Sequence, residues 1–359
     1  MCALPFTFTA TLVALQQLFG VQFRLRVKFS TESLIVTRIA NGNRMIRQAF
    51  TRALRSSQLQ RRHALHQAPL AHFATTVAGA SDDAPHLVVV GSACVDCFID
   101  VPRLPVQGET LASPNPRTGT LLPGGKGANQ AAAAARFGAE TFFDGRFGDD
   151  ADADVITSTM EGFGVDLSLS LRDPTCPSGK AFIFLEPTGH NSIVIVQGTN
   201  IEGWTPVNLF TPQLEDSIRK AGAVLLQREI PDFVNLAVAK FASSAGVPVL
   251  LDVGGKDSPL DPELAPYITI CWPNETELMN ISGGLPTGTD DEIAAAVAVL
   301  REQGVREVLV TLGEAGSMMF EEGVTNAKDA IRGPCYKVDK VVDTTGAGDC
   351  FRAAYVVTS

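Results

Sequence analysis

"AVLLQREIPDFVNLAVAKFASSAGVPVLLDV" runs from Ala223 to Val253, and its reading decides the fold. It opens on "AVLLQ" and closes on "VPVLLDV", two runs that are apolar without alternation. A strand that is apolar on successive residues is one buried on both faces. Between them "FVNLAVAKFASSAG" (233–246) places its apolar residues at helical spacing and stops at Gly246. Strand, helix, strand is the unit of a mostly parallel sheet covered on both sides.

The same alternation extends outward in both directions. "HLVVVG" (86–91), "ITICW" (268–272) and "REVLVTL" (306–312) read as further strands, and "DEIAAAVAVLREQG" (291–304) as a further helix. One stretch breaks the pattern. "AFIFLEP", the turn "TGH" and "NSIVIV" (181–196) form a β-hairpin with no helix, which belongs outside the main sheet as a flap.

The 359 residues are enough for one large α/β domain or two smaller ones. The formal charge of −10 conceals an asymmetry: residues 1–80 carry ten Lys and Arg against one acid, Glu32, which leaves the rest of the chain near −19. A body of that charge repels a polyanion and argues against nucleic-acid binding, while a nucleotide needs only a local cradle. Seven cysteines form no framework of spacings, which points to a reducing compartment. "CVDC" (94–97) follows "HLVVVG" and reads as a continuation of that strand, with Cys94 and Cys97 on opposite faces and no second pair to complete a metal site.

The basic head has the character of an organellar transit peptide: Arg-rich, Ser- and Ala-containing, and acid-free from residue 33 to residue 80. A disordered basic arm is the alternative. Residues 1–22 are interrupted by Gln16 and Gln17, too much so for a membrane span, and Met45 begins a better presequence than Met1.

Several polar clusters fall after strands, where ligands gather in open α/β sheets. "LLPGGKGANQAAAAARFG" (121–138) sets glycines around Lys126, then Asn129, then an Ala-rich helix; it lacks P-loop spacing, and a tight helix start with an incidental lysine accounts for it equally well. "WPNETEL" (272–278) places Asn274 and Glu277 three apart at a helix start, suited either to the water shell of Mg²⁺ or to an ordinary N-cap with first-turn acids. "TLGEAGS" (311–317) is a glycine turn. "DTTGAGD" (343–349) says more. Gly346 and Gly348 free backbone N–H groups for an anion hole at the start of a helix near Asp349, and a carboxylate there is placed to take a proton from an attacking hydroxyl. Helix-dipole preference explains Asp349 but not two glycines and Asp343 beside it.

In their order along the chain, "GGKGANQA" (124–131), "PNETE" (273–277) and "DTTGAGD" (343–349) resemble the motifs of the PfkB-type carbohydrate kinases, within them the ribokinase family. "LLQREIPD" (225–232) and "LDVGGKD" (251–257) resemble its plant branch, and the resemblance covers residues 86–359. It implies an α/β fold, a ribokinase-like three-layer sandwich with a mostly parallel central sheet, helices on both faces and a small β lid near residues 106–122 and 181–196, within a kinase domain spanning 81–359. It implies ATP-dependent phosphorylation of D-ribose at O5, with Mg²⁺ and with K⁺ as activator. By that likeness Asp349 is the base and Thr345, Gly346, Ala347 and Gly348 form the anion hole. Cys94, Asp96, Gly125, Lys126, Asn129 and Glu229 stand where the family holds its sugar, and Asn274, Thr311, Gly313, Gly316 and Gly348 where it holds ATP. Glu277 would organise Mg²⁺ through water, and Asp343 with Thr345 would bind K⁺.

The sequence departs from the family in two places. Cys94 stands where the family has Asn, so a weak thiol replaces an amide and the affinity for ribose, or the choice of pentose, is expected to change. The family's later helical segments, which wall the adenine, do not follow Ser359, and truncation is the expectation. Another small sugar, a nucleoside, or sugar binding without catalysis are the alternatives. The likeness further implies a homodimer through the lid and, with the head, import into a plastid rather than a mitochondrion.

Overall fold

A computed structural model describes residues 86–338, 341 and 344–358. The basic head and Asp343 lie outside the described residues. From the first described strand, β1 (Leu87–Val90), the chain passes through β2 (Cys94–Asp100) and β3 (Thr120–Gly124) to helix α1 (Lys126–Arg136). Then come β4 (Thr141–Asp144), β5 (Arg146–Gly148), α2 (Ala151–Gly162), β6 (Val165–Asp166), β7 (Leu171–Asp173), β8 (Gly179–Leu185) and β9 (Asn191–Val196). The short α3 (Thr199–Glu202) and α4 (Pro212–Lys220) lead to β10 (Ala223–Gln227), α5 (Asp232–Ser244) and β11 (Val249–Asp252). The remainder is β12 (Ile270–Cys271), α6 (Glu275–Ile281), α7 (Asp290–Glu302), β13 (Glu307–Thr311), β14 (Ser317–Phe320), β15 (Ile331–Gly333) and α8 (Ala347–Thr358).

The opening βαβ unit lies at the heart of the main sheet. Its strand order among the described residues is β15-β14-β13-β12-β11-β10-β1-β4-β6. Every pairing from β13 through β6 is parallel, and β14 and β15 close one edge antiparallel. β1, β10 and β11 are buried at every residue, as a sheet covered on both faces requires. α5 contributes Val234, Val238 and Ala242 to the same core, each of the two valines worth roughly 1.5–3 kcal/mol on burial.

"CVDC" does not prolong β1. The chain leaves the main sheet at Gly91 and begins β2 in a separate four-stranded sheet, ordered β3-β2-β8-β9. Asn200 causes the turn: its Oδ1 accepts from the Ala93 N–H at 2.9 Å, and its Nδ2 donates to the Ala93 carbonyl at 2.9 Å. Those backbone groups are thereby satisfied without a ladder partner. The hairpin read from residues 181–196 forms β8 and β9 of this small sheet. Its outer strand is exposed along "IVIV": Ile193, Val194, Ile195 and Val196 are all open to solvent.

Candidate active site

The glycines of "GGKG" let the start of α1 lie against the turn that follows β1. Gly125 has φ +92°, and a Cβ there would come within 2.9 Å of the Ala93 Cα. No side chain of the segment itself caps α1. Glu229, just after β10, does so instead: its Oε2 accepts from the Lys126 N–H at 2.9 Å and from the Ser92 Oγ at 2.5 Å. A carboxylate is the right group for the positive end of a helix dipole. Beside it, the Cys94 Sγ–H donates to Asp96 Oδ1 at 3.3 Å. Burial, then Asp96 and Glu229, push the Cys94 thiol far up, so it stays protonated. Burial raises the Asp96 carboxyl as well.

A second group of polar residues centres on the buried Gln130, Gln227, Asp252, Asp349 and Arg352, with the partly buried Lys126 and Asn129 at its margin. Asp349, on the first turn of α8, accepts from Asn129 Nδ2 on Oδ2 and from Gln130 Nε2 on Oδ1, each at 3.1 Å. The Gln130 amide also donates to Asp252 Oδ2 at 2.8 Å, and its own oxygen accepts from Gln227 Nε2 at 2.9 Å. Asp252, the last residue of β11, receives Lys126 Nζ at 3.4 Å and Arg352 Nη1 at 3.2 Å on that same oxygen. Burial raises the Asp349 carboxyl to about 6, Asp252 adds to the rise, and Lys126, Arg352 and the Gln130 hydrogen bond oppose it. Burial works against the Lys126 ammonium, but Asp252, Asp349 and Glu277 outweigh it and its pKa stands above the ordinary value.

The start of α6 faces the same space. Asn274 and Glu277 form a capping box: Asn274 Oδ1 accepts from the Glu277 N–H at 2.8 Å, and Glu277 Oε2 from the Asn274 N–H at 2.9 Å. The N-cap reading is therefore correct, and it leaves the other carboxylate oxygen to consider. Glu277 Oε1 and Lys126 Nζ both lie against Gly254, where a Cβ would stand 2.7 and 2.5 Å from them. Thr311 joins Asn274 through a parallel bridge, so these residues, 37 apart in sequence, are neighbours in space. The glycine turn continues through Gly313 (φ +51°) to Gly316 (φ +88°), where a Cβ would meet the Gly333 carbonyl at 2.0 Å. α8 begins at Ala347, two residues before Asp349, so the N–H groups of its first turn include those of Gly348 and Asp349.

Residues 84–358 match the pfkB family carbohydrate kinases. The chain belongs to that family. The ribokinase of Arabidopsis thaliana is 46% identical over 276 residues, covering 76% of this chain and 70% of the relative. A deoxyribokinase of Salmonella typhi is 32% identical over 265 residues, covering 74% and 82%. A solved structure of the Arabidopsis ribokinase complexed with ribose and ATP superposes with a TM-score of 0.71 at 45% identity, covering 76% of this chain and 85% of that one.

Around the motif residues of this pfkB carbohydrate kinase, the fold gathers others that the sequence pattern did not single out. Asp252, Gln130 and Arg352 stand at the centre of the buried network, and Ser92 holds Glu229. The signals existed: an acid closing the apolar run "VLLD", and an arginine one turn after Asp349 in an otherwise apolar helix. ATP-using kinases of this kind work with a divalent cation, and the residues fit Mg²⁺, which keeps several waters and takes few protein carboxylates. Among the described residues no cluster of three or more His, Cys, Asp or Glu is placed to hold a metal by itself. A carboxylate at the mouth of the α6 capping box, beside Lys126, is the donor such an ion would share with water and phosphate.

Proposed function

We propose that this chain transfers the γ-phosphoryl group of ATP to O5 of D-ribose, giving ribose 5-phosphate and ADP. The carrying observation is Asp349: a buried carboxylate in the first turn of α8, held by Asn129 and Gln130 directly after the glycine turn 345–348. Asp349 accepts the proton of the sugar hydroxyl as that oxygen attacks phosphorus. Thr345, Gly346, Ala347 and Gly348 face the migrating group with backbone N–H groups. Cys94, Asp96, Gly125, Lys126, Asn129 and Glu229 orient the sugar, and Asn274, Thr311, Gly313 and Gly316 line the nucleotide. Glu277 is the carboxylate that would hold Mg²⁺ through water, and the ion entering with ATP would supply neutralisation of phosphate charge. Asp343 and Thr345 are the residues that would hold K⁺ as a monovalent activator.

The test is ribose-dependent ADP release by the full chain with Mg²⁺, with and without K⁺. Stimulation by ribose, loss of activity in Asp349→Asn and a ribose 5-phosphate product are expected; no stimulation by ribose, or an Asp349→Asn chain as active as the original, would overturn the reading. 2-Deoxyribose belongs in the same assay, because the Cys94 thiol is a poorer partner for a sugar hydroxyl than an amide.

Two further readings complete the proposal. The exposed residues Ile193, Val194, Ile195 and Val196, with Leu121 at 41% exposure, support a homodimer through the lid sheet. Ile195→Glu should give a monomer by sedimentation. The basic head supports plastid import, which a fluorescent fusion of residues 1–80 in plant cells would test.

A further inference from the structure

We propose that Arg352, acting through Asp252 and Gln130, is a positioning residue that fixes the carboxylate of Asp349 and joins the base to the metal side of the site. This rests on the kinase reading above. Arg352 follows Asp349 by three residues and so lies on the same face of α8. It is 4% exposed and reaches the carboxyl ends of two strands and the start of α6. Its Nη1 lies 3.2 Å from Asp252 Oδ2, its Nη2 donates to the Trp272 carbonyl at 2.9 Å, and the same nitrogen lies 3.7 Å from Glu277 Oε2.

The chain of contacts runs in one direction. Asp252, fully buried, has its second oxygen tied to the Gly254 N–H at 2.9 Å, so its carboxylate cannot turn. Gln130 bridges Asp252 Oδ2 and Asp349 Oδ1 through one amide nitrogen, at 2.8 and 3.1 Å. That amide cannot flip, because its oxygen is engaged by Gln227 and would otherwise face two carboxylates. One oxygen of Asp349 is thus oriented through Asp252, and Asp252 is itself held between the Gly254 N–H on one oxygen and Arg352 and Lys126 on the other. Gly348 rests on the same guanidinium: a Cβ there would stand 2.5 Å from Arg352 Nη1, which places a fixed positive charge behind the turn that receives the phosphoryl group.

An apolar side chain would anchor α8 without the desolvation cost of a buried guanidinium. Charge is what the arginine adds. The charged groups acting on Asp349 are Lys126 of α1, Asp252 of β11 and Arg352 of α8. Removing Arg352 withdraws a positive charge from the Asp349 carboxyl, and removing the charge of Asp252 withdraws a negative one. The two changes must therefore displace its titration in opposite directions.

The experiment compares the full chain with Arg352→Met, Arg352→Lys and Asp252→Asn, reading kcat, the ribose KM, the pH profile of kcat/KM, and the Asp349 carboxyl by ¹³C NMR titration. Arg352→Met is expected to lower kcat by about 10–100-fold while the ribose KM stays within about twofold, because Arg352 touches none of the sugar-side residues. Arg352→Lys keeps the charge and should recover part of kcat. The acid limb should move to higher pH in Arg352→Met and to lower pH in Asp252→Asn. A helix anchor without this role would lower thermal stability and leave the limb in place in both, which overturns the proposal, as does an unchanged kcat. If Arg352→Met does not fold, Arg352→Lys and Asp252→Asn decide it. If the unaltered chain phosphorylates no sugar, the kinase reading fails by itself, and the NMR titration still judges the Arg352 network.

Discussion

Of the aspartates that close strands of the main sheet, two meet a buried arginine. Asp144 ends β4 and lies 2.5 Å from Arg146 Nη1; Asp252 ends β11 and lies 3.2 Å from Arg352 Nη1. The chemistry is alike and the connections are not. Arg146 donates onward to the carbonyls of Gly145 and Asn208 and stacks its guanidinium on Trp204 at 3.7 Å, so its partners are all structural. Asp252 instead shares one oxygen among Lys126, Gln130 and Arg352, and through Gln130 it reaches Asp349. Burial raises the carboxyl of Asp144 to about 6, as it does that of Asp349. A displaced pKa alone therefore does not mark a catalytic group in this molecule; the path to a helix N-terminus and a glycine turn does.

The comparison breaks most sharply by mutation of each side. Asp349→Asn should lower kcat by about 10²–10⁴-fold, the usual contribution of a general base, with the fold intact by circular dichroism. Arg146→Met should do the reverse. It strands the buried Asp144 carboxylate, and a loss of about 3–5 kcal/mol in urea unfolding is expected, with kcat preserved in the molecules that remain folded. A large kcat effect from Arg146→Met would erase the distinction between the two pairs.

The pH dependence sharpens the same contrast. The base must be ionised to work, so kcat/KM should fall as pH drops below about 6, where the Asp349 carboxyl takes up its proton. The stability effect has the opposite sign. The folded value lies above the ordinary carboxylate value, so the contribution of Asp349 to stability is complete at low pH and is lost as pH rises through about 6. Asp349→Asn removes that loss. The variant should be more stable than the unaltered chain at pH 8, the difference shrinking toward pH 4, as measured by thermal melts across the range. A difference that does not vary with pH would place the stabilisation elsewhere.

The sheet was legible because burial on both faces leaves an unmistakable run of apolar residues, as in "AVLLQ" and "VPVLLDV". The break after Gly91 was not legible, because what turns the chain is Asn200, more than a hundred residues away. In the site, motif residues were readable where glycine, charge and helix start coincide, as at Gly346, Gly348 and Asp349. Gln130 and Gln227 carried no such mark. An amide in a helix of alanines and another ending an apolar strand become significant only when the fold sets them side by side. Glu229, which the resemblance places at the sugar, also caps α1 through Oε2, a role that its sequence position did not mark.

Cys94 offers the smallest effect and the finest discrimination between the sugar side and the base side. Its thiol donates to Asp96 Oδ1 at 3.3 Å, so it occupies one acceptor of the carboxylate that we propose orients the sugar. Sulfur is a weak donor and a weak acceptor, and an amide in its place would offer a hydroxyl a stronger partner. Cys94→Asn should then lower the ribose KM by an amount corresponding to about 0.5–1.5 kcal/mol, with kcat nearly unchanged, because the substitution leaves Asn129, Gln130 and Asp252 around the base untouched. The same change should alter the KM for 2-deoxyribose less if the strengthened contact is to the 2-hydroxyl, and equally if it is to another hydroxyl of the ring. An unchanged KM for both sugars would show that the thiol faces no hydroxyl and that Asp96 alone orients this end of the substrate.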